Sequence, residues 1–353
     1  MGGNALKNVK TSRLSAEVYH PLAERLTALL REELGARAEV IPAYAEKSDF
    51  GDLDIIVEQE KVLVPGNGHA ALEAFAQRHG FARAFSANGN VLSYDHRASA
   101  GDDVGFQVDL IVTPAAEIDA ALTYFSFNDL GNLMGRSAHK MGFKYGHLGL
   151  LYPFRDGDHL YKTLEVTRSS DEAMAFIGYD PSRFHQGFKN LPEIFDYVTG
   201  SRYFNPAIFL LENRNHTSRV RDSKRKTYSA FLEHIAAHQD VLSAFEFPED
   251  KASWLPLAFE RFPAFEAQYH QTTQELKDVR FIRTIFNGAQ VIEWTGLEGK
   301  QISGIMGDVK KRFETPAAFA DFLREHGPEG ARALVNEVFQ NHQPKPASRG
   351  PKF

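Results

Sequence analysis

Residues 46–57 read Glu46-Lys47-Ser48-Asp49-Phe50-Gly51-Asp52-Leu53-Asp54-Ile55-Ile56-Val57. A polar turn holding Ser48, Asp49 and Gly51 runs straight into an apolar, β-branched run, the pattern of a turn followed by a buried strand. Asp52 and Asp54 sit at the junction. Residues two apart on a strand point to the same face, so both carboxylates are expected to project together from the mouth of a sheet. Like charges that close repel, and burying them is costly unless cations neutralise them. The pair therefore asks for a metal.

A third acid fits the same picture. Phe106-Gln107-Val108-Asp109-Leu110-Ile111-Val112 is a second apolar β-rich run, and Asp109 lies 55 residues after Asp54, enough for a helix and a hairpin between. The order of turn, acid-x-acid strand and later strand with one more acid resembles the DNA polymerase β-like nucleotidyltransferase superfamily over roughly the first 150 residues. The resemblance implies a nucleotidyltransferase-like mixed sheet with helices. It also implies two Mg²⁺ (or Mn²⁺) ions on Asp52, Asp54 and Asp109, and an NTP as substrate. Members of that superfamily place a Gly-Ser or Gly-Gly pair at a helix N-terminus ahead of the acid pair, where backbone N–H groups hold triphosphate oxygens. The equivalent place here is Ala43-Tyr44-Ala45-Glu46-Lys47-Ser48, and Gly2-Gly3 is the one Gly-Gly pair. Either Lys47 and Ser48, beside Gly51, take the phosphate contacts, or Gly2-Gly3 does; Lys47 and Ser48 are favoured.

Composition limits the possibilities. A chain of 353 residues with 43% hydrophobic content buries a large core and predicts two domains, with a third possible. No apolar run approaches membrane-spanning length, so a cytoplasmic protein with no membrane partner is expected. The chain has no cysteine, which leaves oxygen and imidazole as metal donors. The 14 histidines are scattered without ligand spacing. A net charge of −6 argues against wholesale coating of nucleic acid. Locally the balance reverses: residues 213–226 carry Arg214, Arg219, Arg221, Lys224, Arg225 and Lys226 against the single acid Asp222.

Along the chain, Val18, Leu22, Leu26, Leu29 and Leu30 predict an amphipathic helix over 15–34, ending before Gly35. Strands are expected at 38–42 and at 61–64 beside the central one, a turn at Pro65-Gly66-Asn67-Gly68, a helix over 70–79, a hairpin of 81–88 with 91–95, and a strand at 104–112. Two helices should pack on one face of this sheet. In 128–141, Asn132, Arg136 and Lys140 recur every fourth residue opposite an apolar side, a polar stripe expected to face the nucleotide. Lys144 and Tyr145 follow as a phosphate-binding and a stacking residue. A hairpin of 148–152 and 161–166 closes the catalytic domain at 165, its Asp156-x-Asp158 tip reading as a polar turn and not a metal site.

Residues 166–340 predict a helical, acceptor-binding domain with a possible split near 260, and 341–353 a disordered basic tail. Helices are expected at 171–177, 191–199, 206–212, 223–245, 256–277, 280–286 and from 316. Lys and Arg at the front of the 223–245 helix would oppose its dipole, so a phosphate is the natural partner for Arg219, Arg221, Lys224 and Arg225. The glycines at 299, 304 and 307 resemble the turns of helix-hairpin-helix modules and of the CCA-adding enzymes' tail domain. The function expected from these readings is metal-dependent transfer of an NMP to an acceptor hydroxyl, with a nucleic-acid 3′ end (RNA or DNA) preferred as acceptor. The alternatives are transfer to a protein or small molecule, a catalytically silent nucleotide- or nucleic-acid-binding module, or metal-dependent hydrolysis on an unrelated α/β fold.

Overall fold

The computed structural model describes residues 5–63, 69–238, 240–242 and 244–342. Gly2-Gly3, the turn expected at 65–68 and the tail from 343 lie outside them. The fold is a mixed α/β arrangement followed by a mostly helical C-terminal region. One compact unit takes the chain up to Phe154 and again Thr163–Phe265; the other takes Arg155–Lys162 and the chain from Glu266. The division expected at 165 falls inside the first unit.

The first unit begins with β1 (Leu14–Ser15), which pairs with β3 (Asp49–Phe50), on either side of α1 (Ala16–Leu34) and β2 (Ala38–Val40). Gly35, at φ 59°, closes α1 in the left-handed conformation that only glycine adopts freely. The buried stripe of α1 is Tyr19, Ala23, Leu26 and Leu30, while Val18 is 54% exposed. The helix is thus turned by about one residue from the expected face, because the aromatic Tyr19 buries more apolar area than Val18. Next come β4 (Asp52–Glu58), α2 (Gln59–Val62), α3 (Ala70–Gly80), β5 (Phe85–Asn88), β6 (Val91–His96) and β7 (Phe106–Thr113). The strand expected at 61–64 is, as far as it is described, a turn of helix ending at Val62, whose side chain drops into the core.

The sheet order is β2-β4-β7-β6-β5, with β4 and β7 parallel and the other pairs antiparallel. Leu53, Ile55 and Val57 of β4 and Val108, Leu110 and Val112 of β7 share one core with Leu26 and Leu30 of α1 and Leu72 and Phe75 of α3. Two helices therefore cover one face, as expected. On the opposite face Ile56 and Ile111 pack under α4 (Ile118–Phe125). Period-two alternation sends Asp52, Asp54 and Asp109 to this second face.

The chain continues through α5 (Leu130–Lys140), β8 (Lys144–Gly146), β9 (Gly149–Asp156), β10 (His159–Thr167), α6 (Ser170–Phe176), α7 (Pro181–His185), α8 (Leu191–Thr199), α9 (His216–Asp222), α10 (Lys226–His238) and α11 (Leu255–Arg261). Strands β8, β9 and β10 form a second sheet. The helix expected at 206–212 is two 3₁₀ turns, Pro206–Ile208 and Leu211–Asn213, each too short to propagate. The helix expected at 223–245 is only α10.

The second unit contains the Arg155–Lys162 hairpin tip, the long α12 (Pro263–Ile285) from Glu266, α13 (Gly288–Thr295), α14 (Lys300–Lys310) and α15 (Pro316–His342). Its core is built on Phe286, Val291, Ile305, Val309, Leu323 and Val335. The tip is tied to α12 by Lys162 to Glu275 at 3.1 Å, Tyr161 Oη donating to Glu275 at 2.8 Å, and an Asp156–Arg280 pair. Asp156 thus has an arginine partner. Gly299, at φ 64°, starts α14, and a Cβ added at Gly304 or Gly307 would meet nothing within 4 Å, so neither serves close packing. Among the described residues no helix is long and apolar enough to cross a membrane.

Candidate metal centre

Parallel pairing of β4 with β7 sets Asp54 directly beside Asp109, and Asp52 lies two residues up the same face. Each of the three offers a carboxylate oxygen within 4.8 Å of the others, and all three are partly buried. Asp109 is held from two sides. Gln107 Nε2 donates to both its oxygens at 3.0 and 2.9 Å, Ser93 opposite on β6 hydrogen-bonds it as well, and the Gln107 amide is itself fixed because its Oε1 accepts from Ala5 N at 3.0 Å.

The electrostatics are those of a site that wants positive charge. Burial, then the charges of Asp52 and Asp109, push the Asp54 carboxyl well above the usual carboxylate range, with Lys47 pulling the other way. Burial also raises Asp109, against the lowering effect of Ser93 and Gln107. Burial lowers the Lys47 ammonium, opposed by Asp52 and Asp54. The Tyr19 hydroxyl is raised by burial and by the same two acids. Carboxylate oxygens crowded in this way are of the hard type that could hold a divalent cation such as Mg²⁺ or Mn²⁺.

A cavity of about 290 Å³ opens beside the acid pair, lined among others by Tyr19, Lys47, Phe50, Asp52, Asp54 and Asn128. Lys47 Nζ sits 4.4 Å from the centre of the Phe50 ring. The turn carrying it is anchored by Ala45 N to Phe188 O at 2.9 Å and Glu46 N to Lys189 O at 2.8 Å. Asn128 and its neighbour Phe127 are both left-handed, at φ 63° and 58°, a costly pair for residues with side chains.

Of the other residues singled out by sequence, Ser48 is exposed and its carbonyl accepts from Ala16 N, while Gly51 is buried between β3 and β4. Tyr145, expected to stack on a base, is buried edge-on to Tyr124, with Lys144 exposed beside it. Lys140 is exposed. Asn132 and Arg136 meet the basic segment: Arg221 donates to Asn132 Oδ1 at 3.1 Å, and Arg136 lies 3.7 Å from Asp222. Arg225 pairs with Asp129, and Arg219 and Lys224 are exposed. Arg219 and Arg221 occupy the last turn of α9, where cations suit the dipole, so the expected opposition to a helix N-terminus does not apply to them. Sequence reasoning missed Gln107, Ser93, Tyr19 and Asn128. Of these, Gln107 carried a signal, standing two residues before Asp109 on the same strand face.

No protein-family model matches the chain, and comparison with curated proteins finds no match.

Proposed function

We propose that this protein is a metal-dependent nucleotidyltransferase of the DNA polymerase β-like kind, moving an NMP from an NTP to an acceptor hydroxyl, with a nucleic-acid 3′ end as the favoured acceptor. The observation that carries the reading is the acid triad: two aspartates on one strand face and a third on the adjacent parallel strand, all within 4.8 Å, beside a cavity that also holds a half-buried lysine. When bound, Mg²⁺ or Mn²⁺ on Asp52, Asp54 and Asp109 would neutralise the triphosphate and acidify the attacking hydroxyl.

The chain's own part is positioning and charge. Gln107 and Ser93 hold the Asp109 carboxylate in one orientation, and Lys47 brings a partly desolvated ammonium to the departing phosphates. In the step itself the acceptor oxygen bonds to the α-phosphorus as the bond to the bridging oxygen of pyrophosphate breaks. Pyrophosphate leaves with that electron pair, and the hydroxyl proton passes to water. The test is incubation with each labelled NTP, Mg²⁺ or Mn²⁺, and RNA, DNA and protein acceptors. Label is expected on a nucleic-acid 3′ end, with the rate lowered at least about 100-fold by Asp52→Asn. An Asp52→Asn protein that transfers at the normal rate would contradict the assignment.

A further inference from the structure

We propose that α5 and α9 together form a binding site for a dianionic phosphate group, separate from the acid triad and independent of the transfer reading. Three arginines, Arg136, Arg214 and Arg221, converge on one carboxylate, that of the fully buried Asp222, at 3.7, 2.9 and 3.1 Å. Three cations against one anion leave an excess of two positive charges. Water cannot screen all of it, because the side chains of Arg214 and Arg136 are only 4% and 15% exposed.

Arg136 and Arg214 are both incompletely satisfied, and Arg214 Nη1 and Nη2 are buried without a hydrogen-bond acceptor. The distant ion pair of Arg136 with Asp222 is the one ion pair its guanidinium makes among the described residues, and its Nε–H is buried without an acceptor. One helical turn away the Asn132 Nδ2 amide is buried without an acceptor as well, while its Oδ1 holds Arg221. Most buried donors in proteins are satisfied; here, among the described residues, four donor atoms, Asn132 Nδ2, Arg136 Nε and Arg214 Nη1 and Nη2, face a single unused acceptor, Asp222 Oδ2, and that excess beside surplus positive charge marks the place of a missing acceptor. Burial and the neighbouring Arg214 lower Arg136 to about 10, in keeping with a cation short of negative charge. Lys140, Lys251 and the partly buried His139 border the same cluster.

The ligand follows from the donors. Arginine forks match planar or tetrahedral oxyanions, and an excess of two charges matches the terminal phosphate of a nucleotide or of a 5′-phosphorylated nucleic acid better than a carboxylate or a backbone phosphodiester. Arg221, 49% exposed, forms the open side through which such a group would enter. None of these residues lines the cavity of the acid pair.

The test is thermal unfolding and calorimetry of the full chain without divalent metal, using inorganic phosphate, ATP, and RNA with a 5′-phosphate or a 5′-hydroxyl, each against NaCl of equal ionic strength. Phosphate is expected to raise Tm by about 2 °C or more once it exceeds its Kd about tenfold. ATP alone sharing the effect identifies a nucleotide site, and 5′-phosphorylated RNA exceeding its 5′-hydroxyl counterpart identifies a nucleic-acid end. Arg136→Met fills the same space without charge and should lose the rise while still folding. Arg221→Gln alters an exposed side chain and should weaken phosphate binding at least tenfold, which keeps the test open if Arg136→Met fails to fold. No rise in the wild-type protein, or an undiminished rise in Arg221→Gln, would overturn the proposal.

Discussion

Asp54 and His96 are both groups whose surroundings resist their charge, and they differ in what relieves them. Asp54 shares its face with two other acids and asks for a cation. His96 is 5% exposed, packs over Gly80 and lies 3.4 Å from Arg25, so burial and that arginine lower its pKa to about 4. It is neutral in the fold and must take up a proton on unfolding between the ordinary value of about 6.5 and about 4. In that window the unfolded chain binds more protons, so stability rises with pH and is lost as pH falls from 6.5 towards 4. His96→Gln should flatten this loss by roughly 2–3 kcal/mol, read as the difference between the two proteins' urea midpoints at pH 7 and pH 4.5; parallel pH profiles would contradict it. The three aspartates were legible because strand periodicity and a β-branched context fix where each acid points. The surroundings of Asn132 and Arg136 were not, since their partners Arg221 and Asp222 come some 90 residues later and no local pattern links them.

Between elements, the close approach of α4 and α5 rests on one glycine. A Cβ at Gly131 would come within 2.1 Å of the Tyr124 carbonyl oxygen, so the turn Ser126–Asp129 can fold back only if residue 131 has no side chain. Gly131→Ala should cost about 2–3 kcal/mol by overpacking, seen as a lower urea midpoint; a midpoint within error of wild type would show that α5 can shift without penalty. Helices with long apolar stripes were readable, as α1, α3 and α8 show. What failed were short apolar segments, where periodicity does not separate strand from helix: Lys61 and Val62 belong to a helical turn. The apolar residues of 206–212 sit in 3₁₀ turns whose caps, such as Asn205 on Ala207 N, compete with a regular helix. The left-handed pair Phe127 and Asn128 had no sequence signal, because neither is glycine.

At the scale of the molecule, each of the two units has its own core, and the chain's two tryptophans fall one in each: Trp254 is buried in the first, and Trp294 packs against the core of the second. Separate cores predict that unfolding is not a single two-state event. Trp254→Phe and Trp294→Phe proteins, each reporting one unit by fluorescence, should give distinct urea midpoints, whereas coincident transitions would mean that the units unfold as one. The overall charge of −6 hides two local charge clusters of opposite sign, the crowded acids of the sheet face and the surplus cations around Asp222. The proposed transfer chemistry depends on the acids. The direct measurement is calorimetric titration of Mn²⁺ into metal-stripped wild-type and Asp54→Asn protein. One or two ions should bind the wild type, with affinity at least about tenfold weaker in the variant. Equal binding by the two, or none by either, would contradict a metal centre built on Asp52, Asp54 and Asp109.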